Sequence, residues 1–360
     1  MGSKKTVIVI GAFTAQGGKQ NAGGVITATR ILMESEFART LDVLPIDTTA
    51  KIEEPFIQKI LKASKRFQRL LLYLIRNQPI AMFTWAAGGF SLYEKLVYCL
   101  ICRFFGVRPV IMFVDSLWMN KIIGSKNMKF FHRILFCLPG KIVCRSKSWV
   151  EFYAKMGVDL RKCHIVYNWI DLNQYKFKGR SCTQQKILFV GWLIKEKGVF
   201  ELIAAFKKIV ETNPDIILDM VGGGPELATL KVECRKLGIH ENVFFHEWLS
   251  NEEVKGKFRE AMMLVLPSHG EGFPYVIVEA MASKVPVITT PVGGIPGVLK
   301  DGFTAFFSGV GDVEQLCEKM QDIISNKVDV DFVVNNAYRH VAIYNDINVT
   351  SSKLIDLLIR

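Results

Sequence analysis

HGEGFPYVIVEAMASKVPVITTPVGG, residues 269–294, sets two glutamates, Glu271 and Glu279, eight positions apart and ends in a glycine pair. The stretch before it, MMLVLPS at 262–268, reads as a buried strand, and FPYVIVEAMAS has the length and composition of the helix that follows. Glu271 then falls in the strand-to-helix turn, with Glu279 about two turns along, a rise of ~12 Å at 1.5 Å per residue. Between them lies a helix N-terminus, where the backbone N–H groups of Gly272 and Phe273 suit a phosphate or sugar oxygen. Carboxylates accept hydrogen bonds from sugar and ribose hydroxyls. One extended ligand with hydroxyls at both ends and a diphosphate in the middle, as in a nucleotide sugar, matches that layout. Two solvated glutamates favoured by the helix dipole are the simpler alternative, and the surrounding loops decide between the two.

Outward from this stretch, both halves of the chain open with a β-branched strand and a glycine-bearing turn, TVIVIGAF at 6–13 and KILFVGWL at 186–193. Strands then alternate with amphipathic helical segments, as parallel βαβ units do. In the second half they fall near 186–191, 216–221, 243–245, 262–267 and 285–289. The pattern predicts an α/β protein of two Rossmann-like domains with parallel sheets facing across a cleft, and ligands at the carboxyl ends of the strands. It also predicts a first domain over residues 1–171, a polar linker at 172–185 and a second domain over 186–340. A terminal helix at 341–360, broken by Asn348–Ser352, can cross back onto the first domain.

The 360 residues suit two domains with sizeable cores. No apolar run reaches the ~18–20 residues of a membrane span, and the N-terminus is too short in apolar residues for a secretory signal. Eight cysteines are scattered. The pair Cys99 and Cys102 lacks the partners a zinc site needs, so reduced cysteines and a cytoplasmic protein are expected, with the sequon at Asn348 a chance match. Residues 1–180 hold 28 Lys and Arg against 11 Asp and Glu, a net of +17, whereas 181–360 come to −5. The basic half contains IQKILKASKRFQRLLLYLIRNQ, 57–78, where Lys59, Lys62, Lys65, Arg66 and Arg69 recur at helical spacing beside Ile60, Leu61 and Leu70–Leu72. That pattern suits a helix lying on an anionic bilayer. A second basic set, including Lys126, Lys129, Lys141 and Arg145, is interleaved with Phe130, Phe131 and Trp149 and raises single-stranded nucleic acid as a partner. No RNA-binding motif accompanies it, and no nucleic acid is expected.

The 269–299 stretch resembles the E-x7-E motif of the family 4 retaining glycosyltransferases. FVGWLIKEKG at 189–198, MVGGGPE at 220–226, NVFFHEW at 242–248 and VYNWID at 166–171 support the resemblance in the family's order and spacing. The first half is similar mainly through GGKQNAGGVITATR at 17–30. The resemblance implies a GT-B fold and a sugar transferred from a UDP- or GDP-linked donor to a glycan acceptor, with retention at the anomeric carbon. It further implies that Glu271 contacts the donor sugar, with Gly272 and Phe273 near sugar or phosphate, and that Glu279 holds the ribose. Lys197 would meet the diphosphate, where leaving-group charge develops, with Lys195 as a helper. Gly23 and Gly24 would let backbone approach the phosphates, and segment 242–248, with Phe245 and Glu247, would line the base pocket. This chain departs from the family at Trp192, where an arginine is usual, and at Asp115, where a histidine is usual. Asp115 reads either as an acceptor for a sugar hydroxyl or as a helix N-cap.

The pair Asp329 and Asp331 lies late in the chain and reads as a solvated turn. GAFTAQGG at 11–18 lacks the dinucleotide fingerprint spacing, and no nucleophile-base set stands out. The expectation is a metal-independent transferase without a cofactor, held peripherally on the inner face of the cell membrane and acting on a lipid-linked acceptor in surface polysaccharide or lipopolysaccharide synthesis. A non-catalytic nucleotide-sugar binder and a nucleotide-sugar epimerase of the same architecture are the alternatives.

Overall fold

The computed structural model describes residues 4–13, 24–49, 56–175 and 185–360. They form two units, Met1–Ile170 with Ile347–Arg360, and Asp171–Asp346.

In the first unit, β1 (Thr6–Gly11), α1 (Gly24–Glu34), α2 (Glu36–Thr40), β2 (Asp42–Asp47), α3 (Phe56–Asn77), β3 (Ala81–Ala86) and α4 (Phe90–Phe104) lead to β4 (Arg108–Phe113). Then come α5 (Ser116–Gly124), α6 (Lys126–Leu135), β5 (Lys141–Cys144), α7 (Lys147–Met156) and β6 (Cys163–Ile165). The six strands pair in parallel in the order β2-β1-β3-β4-β5-β6. β1, β3, β4 and β5 are apolar and almost wholly buried, as strands covered on both faces must be. The path runs one way from β1 to β2 and the other way from β2 onward. With right-handed crossovers, α1 and α2 therefore cover one face and α3, α4 and α6 the other. α3 ends where Gln78 takes a left-handed φ of 46° ahead of Pro79, a common helix stop.

The second unit contains β7 (Lys186–Val190), α8 (Val199–Thr212), β8 (Ile217–Val221), α9 (Leu227–Lys236), β9 (Val243–His246) and α10 (Asn251–Glu260), followed by β10 (Ala261–Leu266) and α11 (Tyr275–Ala282). Two short strands, β11 (Val287–Thr289) and β12 (Phe306–Phe307), and the helices α12 (Val313–Ile324) and α13 (Val330–Tyr344) complete it. Its parallel sheet has the order β12-β11-β10-β7-β8-β9. Both sheets have the Rossmann-like character that the sequence predicts, and the predicted strands of the second half all form. The polar stretch after Ile170 opens with a 3-10 turn, Leu172–Tyr175; residues 176–184 of the expected linker lie outside the described residues.

The last helix, α14 (Ile347–Ile359), belongs to the first unit. Leu354 and Leu358 are fully buried, and the carbonyls of Leu357 and Leu358 accept from Lys141 Nζ at 2.9 Å and an Arg108 guanidinium nitrogen at 3.2 Å. The break between terminal helices lies at Asn345–Asp346, not at Asn348–Ser352 as the sequence reading placed it. Ser351 and Ser352 lie within α14, where their hydroxyls bond back to the Asn348 carbonyl, an arrangement helices tolerate. Asp329, read as part of a solvated turn, is exposed in the turn before α13 and also caps that helix by accepting from Phe332 N at 2.9 Å.

Candidate active site

In the second sheet the chain proceeds from β7 to β8 and β9, then returns to lay β10 against the other edge of β7. The carboxyl ends of β7 and β10 thus flank the topological switch point, where loops diverge and leave a crevice. The β7 loop carries Lys197 in a 3-10 turn, Lys195–Lys197, and the β10 loop carries Glu271. Lys197 Nζ donates to Glu271 Oε1 at 2.5 Å, and Ser268 Oγ donates to the same oxygen at 2.7 Å. Among the described residues no hydrogen bond reaches Glu271 Oε2. Glu271 is only 6% exposed, so its carboxylate is held rather than solvated, and the solvated alternative fails for this glutamate.

Two glycines make the approach of these loops possible. Gly198 has φ 68°, and a Cβ there would sit 2.0 Å from the Pro267 carbonyl oxygen. Gly293 has φ 55°, and its Cβ would fall 1.8 Å from the carbonyl oxygen of Glu271, which instead accepts from Gly294 N at 3.0 Å. Any side chain would push the turns apart and impose a disfavoured φ. The loops are also stitched directly: His269 N–H donates to the Glu196 carbonyl at 2.8 Å, and the His269 ring lies 2.8 Å from Glu201 Oε1. The Thr290 hydroxyl, fully buried, bonds the Ser268 carbonyl.

Gly272 and Phe273 lie just ahead of α11, which starts at Tyr275 after Pro274. Phe273 is buried and seats the turn. Glu279, one turn into α11, accepts from the Tyr175 hydroxyl at 3.1 Å, tying α11 to the 3-10 turn at 172–175. Lys195 is exposed on the turn that carries Lys197. On the other side of β7, β9 delivers Phe245, half-buried with Lys231 5.9 Å from its ring centre, and then the exposed Glu247. Trp192 packs edge-on against Trp248 with centroids 5.1 Å apart, so an aromatic wall stands where the resemblance expects an arginine.

The whole second unit has recognisable kin. Residues 173–340 match the family model described as "Glycosyl transferases group 1". The second unit belongs to the group 1 glycosyltransferases. A capsular polysaccharide biosynthesis glycosyltransferase, CapM of Staphylococcus aureus, is 28% identical to the chain over 291 residues, 80% of this chain and 72% of that one. The chain spans about half the length of some other curated relatives it matches. In fold, sucrose-phosphate synthase from Thermosynechococcus elongatus superposes with a TM-score of 0.81 at 16% identity, over 98% of each chain. Anabaena HepE, solved in complex with UDP, gives 0.73 at 16% identity, over 98% of this chain and 99% of that one. The architecture is that of the GT-B glycosyltransferases.

Within the glycosyltransferase unit, the switch point gathers Lys197, Glu271 and the start of α11, with Glu279 further along that helix. The first unit holds the rest. Asp115 follows β4 and acts as the N-cap of α5, accepting from Trp118 N at 2.9 Å, while its second oxygen accepts from Gly88 N at 3.1 Å. Both oxygens thus carry backbone bonds, and the capping alternative holds. Gly24 is the exposed first residue of α1; Gly23 lies outside the described residues. Sequence reasoning missed Ser268 and Tyr175. Ser268 lies only three residues from Glu271, close enough in a turn to have been considered, whereas Tyr175, 104 positions from Glu279, had no such signal.

The second basic set does not form a continuous surface. Trp149 and Arg145 are buried, with the guanidinium 5.1 Å from the Trp149 ring centre, and the Lys141 ammonium bonds α14. Of the aromatics interleaved with this set, Trp149 is thus withdrawn into the core, while Phe130 and Phe131 remain exposed on α6.

Proposed function

We propose that the chain is a retaining glycosyltransferase that moves a sugar from a UDP- or GDP-linked donor to a lipid-linked glycan in cell-surface polysaccharide synthesis. The observation that carries this reading is the Lys197–Glu271 pair, a cation and a buried carboxylate held together at the switch point beside a helix start. Lys197 meets the diphosphate and neutralises charge as the bond to the anomeric carbon breaks. Glu271 accepts from a donor-sugar hydroxyl through Oε2, and Glu279, steadied by Tyr175, accepts from the ribose. Phe245 and Glu247 face the base, and the UDP complex of HepE supports a nucleotide in this kind of fold.

The acceptor oxygen attacks the face from which the diphosphate departs, and its proton passes to the leaving phosphate oxygen. The C–O bond to phosphate breaks as the new glycosidic bond forms, so the configuration is retained without a covalent enzyme intermediate. Charge neutralisation by Lys197 and the start of α11 makes the reaction metal-independent, so a chelator leaves turnover unchanged. Asp115 acts as a positioning residue that fixes the turn after β3 to the start of α5. The protein works as a peripheral protein on the inner face of the cell membrane, docked through 57–78.

Trp192 in place of the usual arginine favours one second reading, a nucleotide-sugar binder without transferase activity. Melting curves with UDP, GDP and their sugar conjugates, read together with donor hydrolysis, separate the two. A ligand that binds only the folded state raises the melting temperature by mass action. A shift with one nucleotide class plus slow hydrolysis lost in Glu271→Ala supports the transferase; a shift with no hydrolysis and no transfer to any lipid-linked acceptor supports the binder.

A further inference from the structure

Helix α4 is apolar on both sides. Leu92, Leu96, Cys99 and Cys102 are buried against the first sheet, which accounts for one face. On the other, Phe90, Val97 and Phe104 recur at seven-residue spacing with Leu100 between them, and all four are exposed. That spacing sets them in one stripe along the helix. A helix apolar all round belongs in a protein core or in lipid, yet Phe104 is 87% exposed.

The stripe continues onto both neighbours. Tyr93 of α4 stacks on Phe131 of α6 with centroids 6.3 Å apart, and Arg103 donates to the Cys137 carbonyl just past α6 at 3.1 Å. Phe130, 68% exposed, and Ile134 extend the apolar surface on α6. On the other side, Arg66 of α3 reaches Glu94 of α4 at 2.7 Å, and α3 presents Ile57, Leu61 and Ile75 outward. The crossover rule puts all three helices on one face of the sheet. Their exposed apolar residues therefore form one layer, larger than α3 alone provides, and apolar surface of this extent marks an interaction site.

Charge identifies what covers it. Residues 56–150 carry 16 Lys and Arg and only two acidic residues, Glu94 and Asp115. Both acids are turned to internal use, Glu94 against Arg66, Lys95 and Tyr98, and Asp115 as the cap of α5. The surface is thus apolar residues set among cations with no exposed carboxylate on its helices. A second copy of the chain would bring the same positive field to an isologous contact and be repelled. An anionic bilayer complements both features: phosphates meet the lysines, and rings enter the acyl boundary.

We propose that the first unit binds an anionic membrane through the composite α3–α4–α6 layer, with α3 and α6 supplying charge and the Phe90–Phe104 stripe of α4 supplying insertion. It rests on the lipid-linked acceptor proposed above for its purpose, and its test does not involve transfer.

The full chain is floated with phosphatidylcholine vesicles with and without phosphatidylglycerol, at low and high salt. Wild type floats with the anionic vesicles, and part of the binding survives high salt. Leu100→Ser with Phe104→Ser removes the salt-resistant part and lowers affinity at least about tenfold. Lys65→Gln and Lys129→Gln each lower the salt-sensitive part about fivefold. Val232→Ser, an exposed apolar residue of α9 in the other unit, changes nothing. Melting temperatures confirm folding, and a retained nucleotide-induced shift in the α4 variant shows that the donor site is intact, so failure here is distinct from failure of the transferase reading. The inference falls if wild type does not float with anionic vesicles, if the α4 double variant floats as well as wild type, or if light scattering without vesicles finds a dimer that the α4 substitutions dissolve.

Discussion

Replacing Glu271 by glutamine has opposite consequences for nucleotide binding and for transfer. In the structure, the Lys197 ammonium sits 2.5 Å from Glu271, with the two side chains 21% and 7% exposed. A charge-assisted hydrogen bond of this kind contributes about 1.5–3 kcal/mol, and partial exposure of the lysine places this one toward the lower end. A nucleoside diphosphate that recruits Lys197 must draw it from Glu271 and accept a carboxylate nearby. At 6 Å and an effective dielectric of ~20, that repulsion alone is about 3 kcal/mol before screening. Glu271→Gln removes both costs and keeps the shape, so UDP or GDP, whichever is the native base, binds about 5–30-fold more tightly, equivalent to ~1–2 kcal/mol. Transfer falls because the amide is a poorer acceptor for the sugar hydroxyl. Lys197→Met weakens nucleotide binding instead. Isothermal titration of wild type and the two variants with UDP and GDP reads both signs directly. Equal weakening by the two substitutions would refute the claim that the pair competes with the diphosphate.

Other substitutions probe the scaffold. Glu94→Gln leaves Arg66 and Lys95 facing each other without their carboxylate, a loss of about 3–5 kcal/mol, or roughly 6–20 °C at ~2–4 °C per kcal/mol, read from the melting of the first unit. Burial raises the Glu94 carboxyl, but Lys95, Arg66 and the Tyr98 hydroxyl outweigh it and hold it below the usual 4.5. The stability it supplies is therefore complete above 4.5 and is lost as pH falls below that value; acid titration of the wild-type melting temperature, with Glu94→Gln as the flat reference, checks the sign. Gly198→Ala forces both a positive φ and a contact with the Pro267 carbonyl, so it destabilises the second unit by more than about 1 kcal/mol and weakens nucleotide binding in the same titrations. Tyr175→Phe removes one hydrogen bond to Glu279, costing about 0.5–1.5 kcal/mol of nucleotide affinity, with deoxyribonucleotides unaffected by the change.

The two Rossmann-like sheets were legible because buried parallel strands such as TVIVIG and KILFV are written as continuous β-branched runs bounded by glycine. The E-x7-E spacing likewise announced Glu271 and Glu279, and Lys197 beside Gly198 stood out in its loop. The pairing of Lys197 with Glu271 was not legible: they lie 74 residues apart, and only the return of β10 to the edge of β7 joins them. Tyr175 was hidden for the same reason, inside a stretch whose polarity reads as linker. Arg145 and Trp149 misled in the opposite direction, since their composition suits a binding surface while the strand end and helix that carry them turn both inward. The break before α14 was displaced because serine and threonine weaken a helical pattern on paper, whereas their hydroxyls can satisfy themselves on the preceding turn.

The return of α14 to the first unit makes the order of synthesis differ from the order of completion. The strands of the first unit leave the ribosome before the second unit does, yet the helix that covers its α1 and α2 side is encoded after the second unit. Residues 171–346 take roughly 10–35 s to make at about 5–20 residues per second. The second unit, continuous in sequence, can close during that interval, while the first waits with the sites of Leu354 and Leu358 uncovered. A chaperone that shields this gap, or a nascent chain stalled near residue 346, would therefore act on the unit whose synthesis began before the other's.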